Sequence, residues 1–334
     1  MKKVLVTGAA GYIGSHICRV LLNLGYEVVA LDNFSRGWRQ ALELLKSENS
    51  SLKVVEADLR QAEIIKKIML DERPDLVFHF AALCSVNESM HNPYLYFSNN
   101  CQGTFNLLEA MRLVGVDKII FSSTSAVYGE AKSLPIKEDQ MSEPVNPYGE
   151  SKLLIEKSLK WFGQLYGLNY VILRYFNVCG SSSDGYIGDS KKPSQLLVQN
   201  AVRGALGLEQ FHFTCPHVPT PDGTPIRDYI DVEDLIDAHL TAADYLNNGG
   251  QSDIFNLGNG QGYSVREIVE TVEKVLDVKL SRQADQTRQG EIAEIYADVS
   301  KAKQILNWQA KKSLSDSIVS LVAWYKRYPK GYDY

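Results

Sequence analysis

Residues 4–16 of the chain read VLVTGAAGYIGSH, in which an apolar run is followed by three regularly spaced glycines. Gly8, Gly11 and Gly14 stand three residues apart, and apolar residues then recur at helical spacing from Ile17 onward. Glycines let the backbone turn tightly and approach a ligand closely, and the N-terminus of the following helix attracts a pyrophosphate. The stretch therefore predicts a strand–turn–helix unit that binds a dinucleotide, the alternative being a structural turn without a ligand.

An acidic residue stands where such a unit would place one beside the ribose of the nucleotide. Asp32 follows a second apolar run, residues 27–31, and lies about 18 residues after Gly14, close to the spacing of dinucleotide-binding units. A carboxylate at this position can accept hydrogen bonds from both ribose hydroxyls of NAD, and it would repel the 2′-phosphate of NADP. The cofactor predicted from Asp32 is therefore NAD.

The composition argues against several classes of protein. The 334 residues carry a net charge of −5 without any basic run, which argues against nucleic acid as a partner. No apolar stretch reaches the roughly 20 residues that a membrane span needs, and the N-terminus enters the first strand directly, so we expect neither a membrane partner nor a signal peptide. Five cysteines without a CxxC pair indicate reduced thiols rather than disulfides or a metal site. These features predict a cytoplasmic enzyme.

Strand-like and helix-like segments alternate over the first half of the chain. The predicted strands are residues 3–7, 27–32, 53–57, 76–80, 117–123 and 169–174, and the predicted helices are residues 12–24, 36–48, 60–71, 93–113 and 148–166. Apolar strands that alternate with helices predict a parallel sheet covered on both faces. The predicted fold class is therefore α/β, a doubly wound (Rossmann) parallel sheet with a smaller mixed α/β C-terminal domain.

The two domains are predicted to be interleaved. Residues 1–178 form the NAD-binding domain, and residues 179–334, which begin with a loop rich in Gly, Ser and Asp, form the substrate domain. We expect the segments near residues 231–246 and 252–257 to return to the sheet of the first domain.

A tyrosine followed by a lysine four residues later occurs twice, at Tyr128/Lys132 and at Tyr148/Lys152. Tyr148 follows Pro147, a favourable first residue of a helix, and residues four apart on a helix share a face. Tyr128 ends an apolar strand and precedes a glycine and a Leu-Pro loop, so no helix would hold Lys132 beside it. We therefore predict that Tyr148 and Lys152 are the catalytic pair and that Tyr128 is a core or strand-end tyrosine.

A tyrosine acts as a base at neutral pH only if its pKa is lowered from about 10. One positive charge about 6 Å away contributes roughly 3 kcal/mol at an effective dielectric constant of about 20, so Lys152 and the cationic nicotinamide ring together could stabilise a Tyr148 phenolate. Ser122 and Thr124 lie at the C-terminal end of a predicted strand, where parallel sheets bind ligands. Thr124 is predicted to hydrogen-bond the reacting oxygen; the alternative is a strand end that caps a loop.

Together these elements resemble the extended short-chain dehydrogenase/reductase superfamily. The shared segments are the glycine-rich turn, Asp32, ADL at 57–59, HFAAL at 79–83, SSTSAVYG at 122–129 and YGESK at 148–152. Four further segments resemble the UDP-glucose 4-epimerase branch, namely RYFNVCG at 174–180, GYIGD at 185–189, TPDGTPIRDYIDV at 220–232 and ADVSKAKQILNW at 297–308. The resemblance covers essentially the whole chain.

The resemblance implies an NAD-dependent enzyme that interconverts UDP-galactose and UDP-glucose by transient hydride transfer from C4 to bound NAD, through a 4-keto sugar. The implied catalytic residues are Tyr148, Lys152 and Thr124. The implied cofactor-binding residues are Gly8, Gly11, Tyr12, Ile13, Gly14, Asp32, Asn33, Asp58, Leu59, Phe80, Ala81, Ala82, Asn99, Ser122, Tyr148, Lys152 and Tyr175. The implied substrate-binding residues are Thr124, Tyr148, Asn177, Gln195, Leu196, Arg227, Arg288, Glu291 and Ile295.

Several positions bear on reaction type and specificity. Ser125 and Ala126 stand where sister dehydratases and decarboxylases of the superfamily carry Asp-Glu or Ser-Glu, and the missing acid favours epimerisation. Cys84 stands where the family usually has a lysine, and Gln195 replaces an asparagine. Ile295 stands where strict hexose enzymes have tyrosine and enzymes that accept N-acetyl sugars have smaller residues. A UDP-N-acetylglucosamine 4-epimerase, or a dual specificity, is therefore the alternative interpretation.

Two further expectations concern the class of protein and its assembly. A non-catalytic NAD(H)-binding sensor on the same fold is the alternative from another class, and the intact catalytic residues argue against it. The family is often dimeric, so the resemblance implies a homodimer in galactose and carbohydrate metabolism. The predicted helix 93–113 carries an apolar stripe that is more typical of a core than of an interface, formed by Tyr94, Phe97, Cys101, Phe105 and Leu108.

Overall fold

The computed structural model describes residues 2–191, 194, 196–213, 217–280 and 292–332. The chain forms two compact units that interleave along the sequence. The first unit comprises Met1–Glu130, Gln140–Arg174 and His239–Phe255, and the second comprises Ala131–Asp139, Tyr175–Ala238 and Asn256–Tyr334.

Strands and helices alternate through most of the described chain. The strands are β1 (Lys3–Thr7), β2 (Glu27–Asp32), β3 (Leu52–Glu56), β4 (Leu76–His79), β5 (Lys118–Thr124), β6 (Asn169–Tyr175), β7 (Asn177–Cys179), β8 (Ile226–Asp231), β9 (Asp253–Leu257), β10 (Gly262–Ser264) and β11 (Glu294–Ile295). The helices are α1 (Tyr12–Asn23), α2 (Arg39–Glu48), α3 (Ala62–Glu72), α4 (Val86–His91), α5 (Pro93–Tyr96), α6 (Gly103–Val114), α7 (Pro147–Tyr166), α8 (Leu197–Ala205), α9 (Val232–Asn247), α10 (Val265–Leu276), α11 (Ser300–Ile305) and α12 (Leu314–Arg327). A π-helical turn covers Phe97–Gln102, and a 3₁₀ turn covers Ser125–Val127.

Within the described residues, a seven-stranded sheet has the strand order β3-β2-β1-β4-β5-β6-β9. The pairings from β3 to β5 are parallel, and Leu5 of β1 lies opposite Val29 on one side and Val77 on the other. These three side chains belong to the buried apolar core, and each contributes about 1.5–3 kcal/mol by its burial. The doubly wound α/β fold predicted from the sequence is confirmed. Because the strand order reverses between β1 and β4, ligands are expected at their carboxyl ends.

Helix α7 carries the predicted tyrosine–lysine pair and has a well-defined start. The side chain of Asn146 accepts the N–H of Gly149 at 2.9 Å, and Pro147 is the first helical residue. An Asn cap and an N-terminal proline both stabilise helix starts. Tyr148 and Lys152 therefore stand in the first two turns, about one turn apart.

Two predicted helices differ from those observed. The helix predicted at residues 93–113 is wrong as a single α-helix, because α5 and α6 are separated by the π-helical turn at Phe97–Gln102. An apolar period does not reveal such a turn, which is held by tertiary contacts and often marks a functional site. The helix predicted at residues 36–48 begins only at Arg39, because the N–H of Trp38 donates to the Ala10 carbonyl oxygen at 2.9 Å while Trp38 has an extended backbone.

The second unit contains a small mixed sheet in its described residues. Strand β8 pairs in parallel with β7 and β11, and antiparallel with β10. The register places Arg227 of β8 beside both Tyr263 of β10 and Ile295 of β11, and places Asn177 of β7 beside Tyr229. Two predicted substrate-binding residues, Arg227 and Ile295, are therefore neighbours in this sheet.

Among the described helices, none combines the length and the apolar character that crossing a bilayer requires. In the same part of the chain, no group of three or more His, Cys, Asp or Glu side chains is arranged to hold a metal ion. Cys18, Cys101 and Cys179 are buried thiols outside any disulfide, and Cys84 is exposed and likewise not in a disulfide; Cys215 lies outside the described residues.

Candidate active site

The glycine-rich turn between β1 and α1 packs against the chain that follows β4. Gly8 has a φ of +68°, and a Cβ added to it would lie 2.6 Å from the Ala81 nitrogen, while a Cβ on Gly14 would overlap the Gly8 carbonyl oxygen. Gly11 precedes α1 and has no side chain that could cap the helix. The turn therefore has no room for side chains, and it presents the positive end of a helix to a bound anion.

The Asp32 carboxylate joins this turn to the loop after β2. Its Oδ2 accepts the N–H of Ala10 at 2.9 Å, and its Oδ1 accepts the N–H of Phe34 at 2.8 Å. Burial raises the pKa of Asp32, and these backbone N–H groups oppose the rise. The backbone N–H of Asn33 also binds this carboxylate, and because its two oxygens together can accept about four hydrogen bonds, the carboxylate keeps capacity for a ribose hydroxyl. Asp32 thus has a structural role that sequence reasoning missed.

Asn33 and Asp58, both predicted on the cofactor side, are in direct contact. Asn33 Nδ2 donates to Asp58 Oδ2 at 2.9 Å, and the Arg60 guanidinium binds both carboxylate oxygens at 2.9 and 2.7 Å. These hydrogen bonds from Arg60 lower the pKa of Asp58. Leu59 is buried, and its carbonyl oxygen accepts from the Asn106 side chain at 2.9 Å. The structure therefore brings the residues that follow β2 and β3 into one cluster.

His79 at the end of β4 links three elements through a buried hydrogen-bond network. Its Nδ1 lies 2.6 Å from Thr7 Oγ1, its Nε2 lies 2.8 Å from Thr104 Oγ1, and Thr104 Oγ1 donates to the Asn100 carbonyl oxygen at 2.6 Å. Because Thr104 uses its hydrogen on Asn100, His79 must donate from Nε2 and accept at Nδ1. Burial lowers the pKa of His79 to about 3. A neutral imidazole therefore anchors the strand end that leads into residues 80–82.

Lys152 is a buried cation at the carboxyl end of β5. Its Nζ donates to the Ser122 carbonyl oxygen at 2.8 Å and lies 4.8 Å from the centroid of the Phe121 ring. The residue is 2% exposed, and this burial lowers the pKa of Lys152 to about 8, against the opposing influence of Cys84, Cys101 and Glu156. Burying an ammonium is unfavourable unless anionic or hydrogen-bonding groups compensate. The site is therefore suited to a ligand that brings such groups.

Thr124 is the last residue of β5 and adjoins the start of α7. Its Oγ1 accepts the N–H of Ala126 at 3.1 Å, and a Cβ added to Gly149 of α7 would lie 2.5 Å from the Ala126 carbonyl oxygen. The hydrogen bond from Lys152 joins the same helix to the same strand. The end of β5 and the first two turns of α7 thus form one region that carries Thr124, Tyr148 and Lys152.

Tyr128, the tyrosine of the rejected pair, lies in the core. It is 1% exposed, and the Arg174 guanidinium lies 4.8 Å from the centroid of its ring. Arg174 forms a buried ion pair with Glu156, with its Nε 3.0 Å from Glu156 Oε1. Glu156 Oε1 also accepts the Ser123 hydroxyl at 2.5 Å. This cluster joins β5, α7 and β6, and the Tyr128 side chain is buried within it.

Asn100, in the π-helical turn, is a positioning residue that sequence reasoning missed. Its side chain accepts the Leu83 N–H at 2.8 Å and donates to the Leu83 carbonyl oxygen at 3.1 Å and to Ser151 Oγ at 3.0 Å. The Ser151 hydroxyl donates to the Tyr148 carbonyl oxygen at 2.7 Å. Asn99, predicted on the cofactor path, donates to Asn100 Oδ1 at 3.1 Å. The sequence signal was the pair of adjacent asparagines within a predicted helix.

The predicted site residues of the first unit differ in exposure. Those that keep part of their surface exposed are Gly8, Gly11, Tyr12, Ile13, Asn33, Asp58, Phe80, Ala81, Ala82, Asn99 and Tyr148, and those that are buried are Gly14, Asp32, Leu59, Ser122, Thr124 and Lys152. The residues that follow β1, β2, β3, β4 and β5 stand at the carboxyl ends of strands, and the ends of parallel strands lie at one edge of a sheet.

The second unit carries most of the predicted substrate-binding residues. Arg227 Nη1 donates to the Ile226 carbonyl oxygen at 2.9 Å, and its register partner Ile295 is 7% exposed. Tyr175 ends β6, Asn177 starts β7 and Leu196 directly precedes α8. Gln195, Arg288 and Glu291 lie outside the described residues.

Asp228, next to Arg227 on β8, is not among the site residues predicted from the sequence. Its buried carboxylate accepts the N–H groups of Asn259 at 2.7 Å, Gly260 at 3.0 Å and Ala297 at 3.2 Å. Burial raises the pKa of Asp228 to about 6, and these backbone donors oppose the rise. One carboxylate therefore ties two separate segments, residues 259–260 and Ala297, to the strand that carries Arg227.

Comparison with known proteins places the chain among nucleotide-sugar enzymes. A sequence profile described as "NAD dependent epimerase/dehydratase family" matches residues 4–258. A curated UDP-glucose 4-epimerase from Lactobacillus helveticus is 41% identical over 333 residues, which is 99% of both chains.

Solved structures agree with this similarity. A crystal structure of a UDP-glucose 4-epimerase has a TM-score of 0.94 at 40% identity and covers 100% of both chains. The UDP-glucose 4-epimerase from Bifidobacterium longum in complex with NAD+ and UDP has a TM-score of 0.93 at 36% identity, covering 99% of this chain and 100% of that one. The UDP-Glc/GlcNAc 4-epimerase from Campylobacter jejuni has a TM-score of 0.84 at 38% identity, covering 98% and 100%. The resemblance stated from the motifs is confirmed.

Proposed function

Because the chain belongs to the NAD dependent epimerase/dehydratase family, we propose that it catalyses the interconversion of UDP-galactose and UDP-glucose, the reaction of an NAD-dependent UDP-glucose 4-epimerase. The observation that carries the proposal is the similarity to a curated UDP-glucose 4-epimerase along 99% of both chains. The geometry supports it, since Thr124, Tyr148 and Lys152 stand in one region at the carboxyl end of β5.

The first unit fits a bound dinucleotide. A Cβ would collide with the backbone at Gly8 and Gly14, which leaves a backbone cradle at the start of α1 for the pyrophosphate. Asp32 would bind the adenosine ribose, with Asn33, Asp58 and Leu59 around the adenine. When bound, NAD would supply a reversible hydride acceptor for C4 of the hexose, so that the reaction would involve no net oxidation.

Residues of α7 and β5 carry out the proton transfer. Tyr148 takes the proton of the sugar 4-hydroxyl, because it stands in the first turn of α7 with part of its surface exposed. Lys152, one turn further on and buried, provides a positive charge that stabilises the phenolate. Thr124 Oγ1 already accepts a backbone N–H, so its own hydrogen is left to donate to the reacting oxygen.

The second unit supplies the contacts to the nucleotide sugar. Arg227 is oriented by its bond to the Ile226 carbonyl oxygen, and a guanidinium suits a diphosphate because it can bind in a bidentate manner. Asn177, Leu196 and Ile295 are assigned to the same substrate, together with Tyr175 on the nicotinamide side. Gln195, Arg288 and Glu291 are assigned to it on the resemblance alone.

Epimerisation is favoured over dehydration by the two residues next to Thr124. Ser125 and Ala126 begin the 3₁₀ turn at the end of β5, and neither can protonate a leaving hydroxyl. A dehydratase needs such an acid close to the catalytic hydroxyl. With Ser125 and Ala126 in these two positions, the acid that elimination would require there is missing, which leaves epimerisation as the favoured reaction.

A second candidate is the same chemistry on UDP-N-acetylglucosamine or on both sugar classes. It is favoured by Ile295, whose side chain is smaller than a tyrosine and lies beside Arg227 in the sheet. Isoleucine is branched and stiff, so we expect a preference for the hexoses with weak turnover of the N-acetyl sugars. We further propose that the enzyme is a cytoplasmic homodimer that serves galactose metabolism.

The test is the initial rate of the purified protein with UDP-galactose, UDP-glucose and their two N-acetylated analogues. We expect hexose turnover at least about tenfold faster, the scale on which a pocket discriminates small groups. Tyr148→Phe should lower kcat by at least about a hundredfold, because it removes the proton acceptor, while Tyr128→Phe should remain within several-fold of the unsubstituted protein.

Other outcomes would assign the protein differently. Equal kcat/KM for both sugar classes would favour the dual-specificity candidate, and a dead Tyr128→Phe variant would reverse the assignment of the base. Protein that releases NAD(H) on acid denaturation but turns over none of the four sugars would be a non-catalytic sensor. Release of mainly NADP(H) would contradict the assignment of Asp32.

A further inference from the structure

Tyr96 is a fully buried tyrosine that contacts the ring of Tyr148. It is the last residue of α5, directly before the π-helical turn, and is 0% exposed. Its ring meets the Tyr148 ring edge to face, with the centroids 6.4 Å apart and the planes at 80°. Aromatic pairs favour this geometry because the positive edge of one ring faces the negative face of the other. Tyr148 keeps part of its surface exposed, and the contact with Tyr96 restricts the orientations that its ring can adopt.

The Tyr96 hydroxyl is held on two sides by the segment around α4. It accepts the Ser85 N–H at 2.9 Å and donates to Glu88 Oε2 at 3.0 Å. Ser85 and Glu88 are themselves joined, because the Ser85 hydroxyl accepts the Glu88 N–H at 3.2 Å and caps α4. Burial, followed by the bond to Glu88, raises the pKa of Tyr96. The phenol therefore stays protonated and remains a donor to Glu88 at any pH at which the enzyme would be assayed.

The second oxygen of Glu88 pairs with Arg36, and this contact contributes less. Arg36 Nη2 lies 2.5 Å from Glu88 Oε1, but the Arg36 side chain is 58% exposed. Exposed ion pairs contribute little because water and salt screen them. The buried hydrogen bond from Tyr96 is therefore the one that fixes the ring, and Arg36 offers a control on the same carboxylate.

We propose that Tyr96, anchored by Glu88 and the Ser85 amide, is a positioning residue that holds the Tyr148 ring in the orientation required for proton transfer. The inference rests on the proposed function, because it needs Tyr148 to be the proton acceptor. A freer Tyr148 ring would spend less time aligned with the sugar hydroxyl and with Lys152. The effect should therefore fall on kcat and on the pH profile, and KM should change little.

The experiment compares Tyr96→Phe, Glu88→Ala, their double variant, Glu88→Gln and the control Arg36→Gln. Tyr96→Phe keeps the ring and loses both hydrogen bonds, so kcat should fall on the order of tenfold, as for small misplacements of reacting groups, with KM within about twofold. The acidic limb of the kcat–pH profile should move to higher pH, because a misaligned phenolate gains less from Lys152. Glu88→Gln keeps an acceptor for Tyr96, and we expect it to restore most of the activity that Glu88→Ala loses.

The double variant tests whether the two residues act through one bond. If they do, Tyr96→Phe combined with Glu88→Ala should be no slower than the worse single variant, because interacting residues are not additive. Arg36→Gln should stay within about twofold of the unsubstituted enzyme. If Tyr96→Phe fails to fold, the proposal is tested with Glu88→Ala, which removes the same hydrogen bond. The Glu88 side chain is partly exposed, so we expect this variant to fold.

The outcomes separate this inference from the proposed function. An active enzyme that loses turnover in Tyr148→Phe but keeps its kcat and pH profile in Tyr96→Phe and Glu88→Ala would overturn the inference alone. Fully additive losses, or a rise in KM at constant kcat, would do the same. An unsubstituted protein without epimerase activity, or a Tyr148→Phe variant that remains active, would overturn both.

Discussion

Lys152 stands in the candidate active site although burying its ammonium costs free energy. Its ammonium is buried against the end of β5 and holds one hydrogen bond to the Ser122 carbonyl oxygen, and burial lowers its pKa to about 8. A shift of that size from the usual value near 10.4 corresponds to roughly 3 kcal/mol at neutral pH. Because burying this ammonium lowers the stability of the fold, we expect that Lys152 is retained for its function.

We therefore expect Lys152→Met to stabilise the nucleotide-free protein while it abolishes catalysis. The pKa of Lys152 is lower in the folded than in the unfolded state, so its penalty is fully present below pH 8 and disappears as the pH rises toward 10.4. The variant should be more stable by about 1–3 kcal/mol at pH 7, after the loss of the Ser122 hydrogen bond. This advantage should shrink between pH 8 and 10, as measured by denaturant unfolding.

The exposed Lys157 on the same helix offers a matched control. Lys157→Met should change neither the stability nor its dependence on pH beyond about 0.5 kcal/mol, as is usual for surface positions. A stability difference for Lys152→Met that stays constant from pH 6 to 10 would contradict this account of the buried charge.

At the scale of elements, the π-helical turn between α5 and α6 organises the site. It places Asn100 where its amide joins the segment after β4 to the start of α7, and its neighbour Tyr96 where the ring meets Tyr148. The apolar stripe predicted on a continuous helix 93–113 also divides here. Cys101 and Leu108 belong to the core, whereas Tyr94 is 82% exposed. Asn100 of this turn and Tyr96 directly before it therefore both contact the first two turns of α7.

Asn100→Leu should destabilise the protein by about 2–5 kcal/mol, because it leaves buried polar groups of Leu83 and Ser151 without their partner. We also expect a lower kcat, since Ser151 contacts the Tyr148 carbonyl oxygen. Ser98→Ala, in the same turn, is the control and should cost less than about 0.5 kcal/mol. Chemical denaturation of both variants measures the difference, and equal stabilities would show that the Asn100 network contributes nothing.

At the scale of the whole molecule, an exposed apolar stripe lies along α7 and could serve the proposed homodimer. Leu154, Trp161 and Leu165 lie on one face of the helix at spacings of seven and four residues and are 39%, 62% and 64% exposed. Neighbouring α5 adds the exposed Tyr94. Exposed apolar patches commonly mark protein–protein interfaces, and a two-fold dimer would bury the same patch on both subunits.

If the proposed homodimer uses this stripe, Trp161→Glu should weaken it strongly. A buried charge without a partner is costly, and central aromatic residues often contribute about 2 kcal/mol or more, which corresponds to a dissociation constant about thirtyfold higher. Sedimentation velocity across a concentration series measures the change. Leu24→Glu, at the similarly exposed end of α1, is the control and should leave the assembly unchanged. An equal effect of both substitutions, or of neither, would place the interface elsewhere.

The sequence by itself determined the fold class, the glycine-rich turn, the acidic residue after β2 and the helix that carries Tyr148 and Lys152. These features depend on local causes, namely apolar periodicity, the steric freedom of glycine and an Asn-Pro helix start. Local patterns of this kind are visible within a few residues. The motifs that resemble the family lie in the same local segments.

Only the tertiary structure decided the π-helical turn, the buried state of Lys152 and the partners of Tyr96, Asn100 and Asp228. Asn100 meets Ser151 across 51 positions of sequence, and Asp228 meets Ala297 across 69. Such hydrogen bonds form because distant segments are brought together by the packing of the core, and they leave no periodic trace in the chain. The pKa values of Lys152 and His79 depend on the same packing, since desolvation is a property of the surroundings and not of the residue.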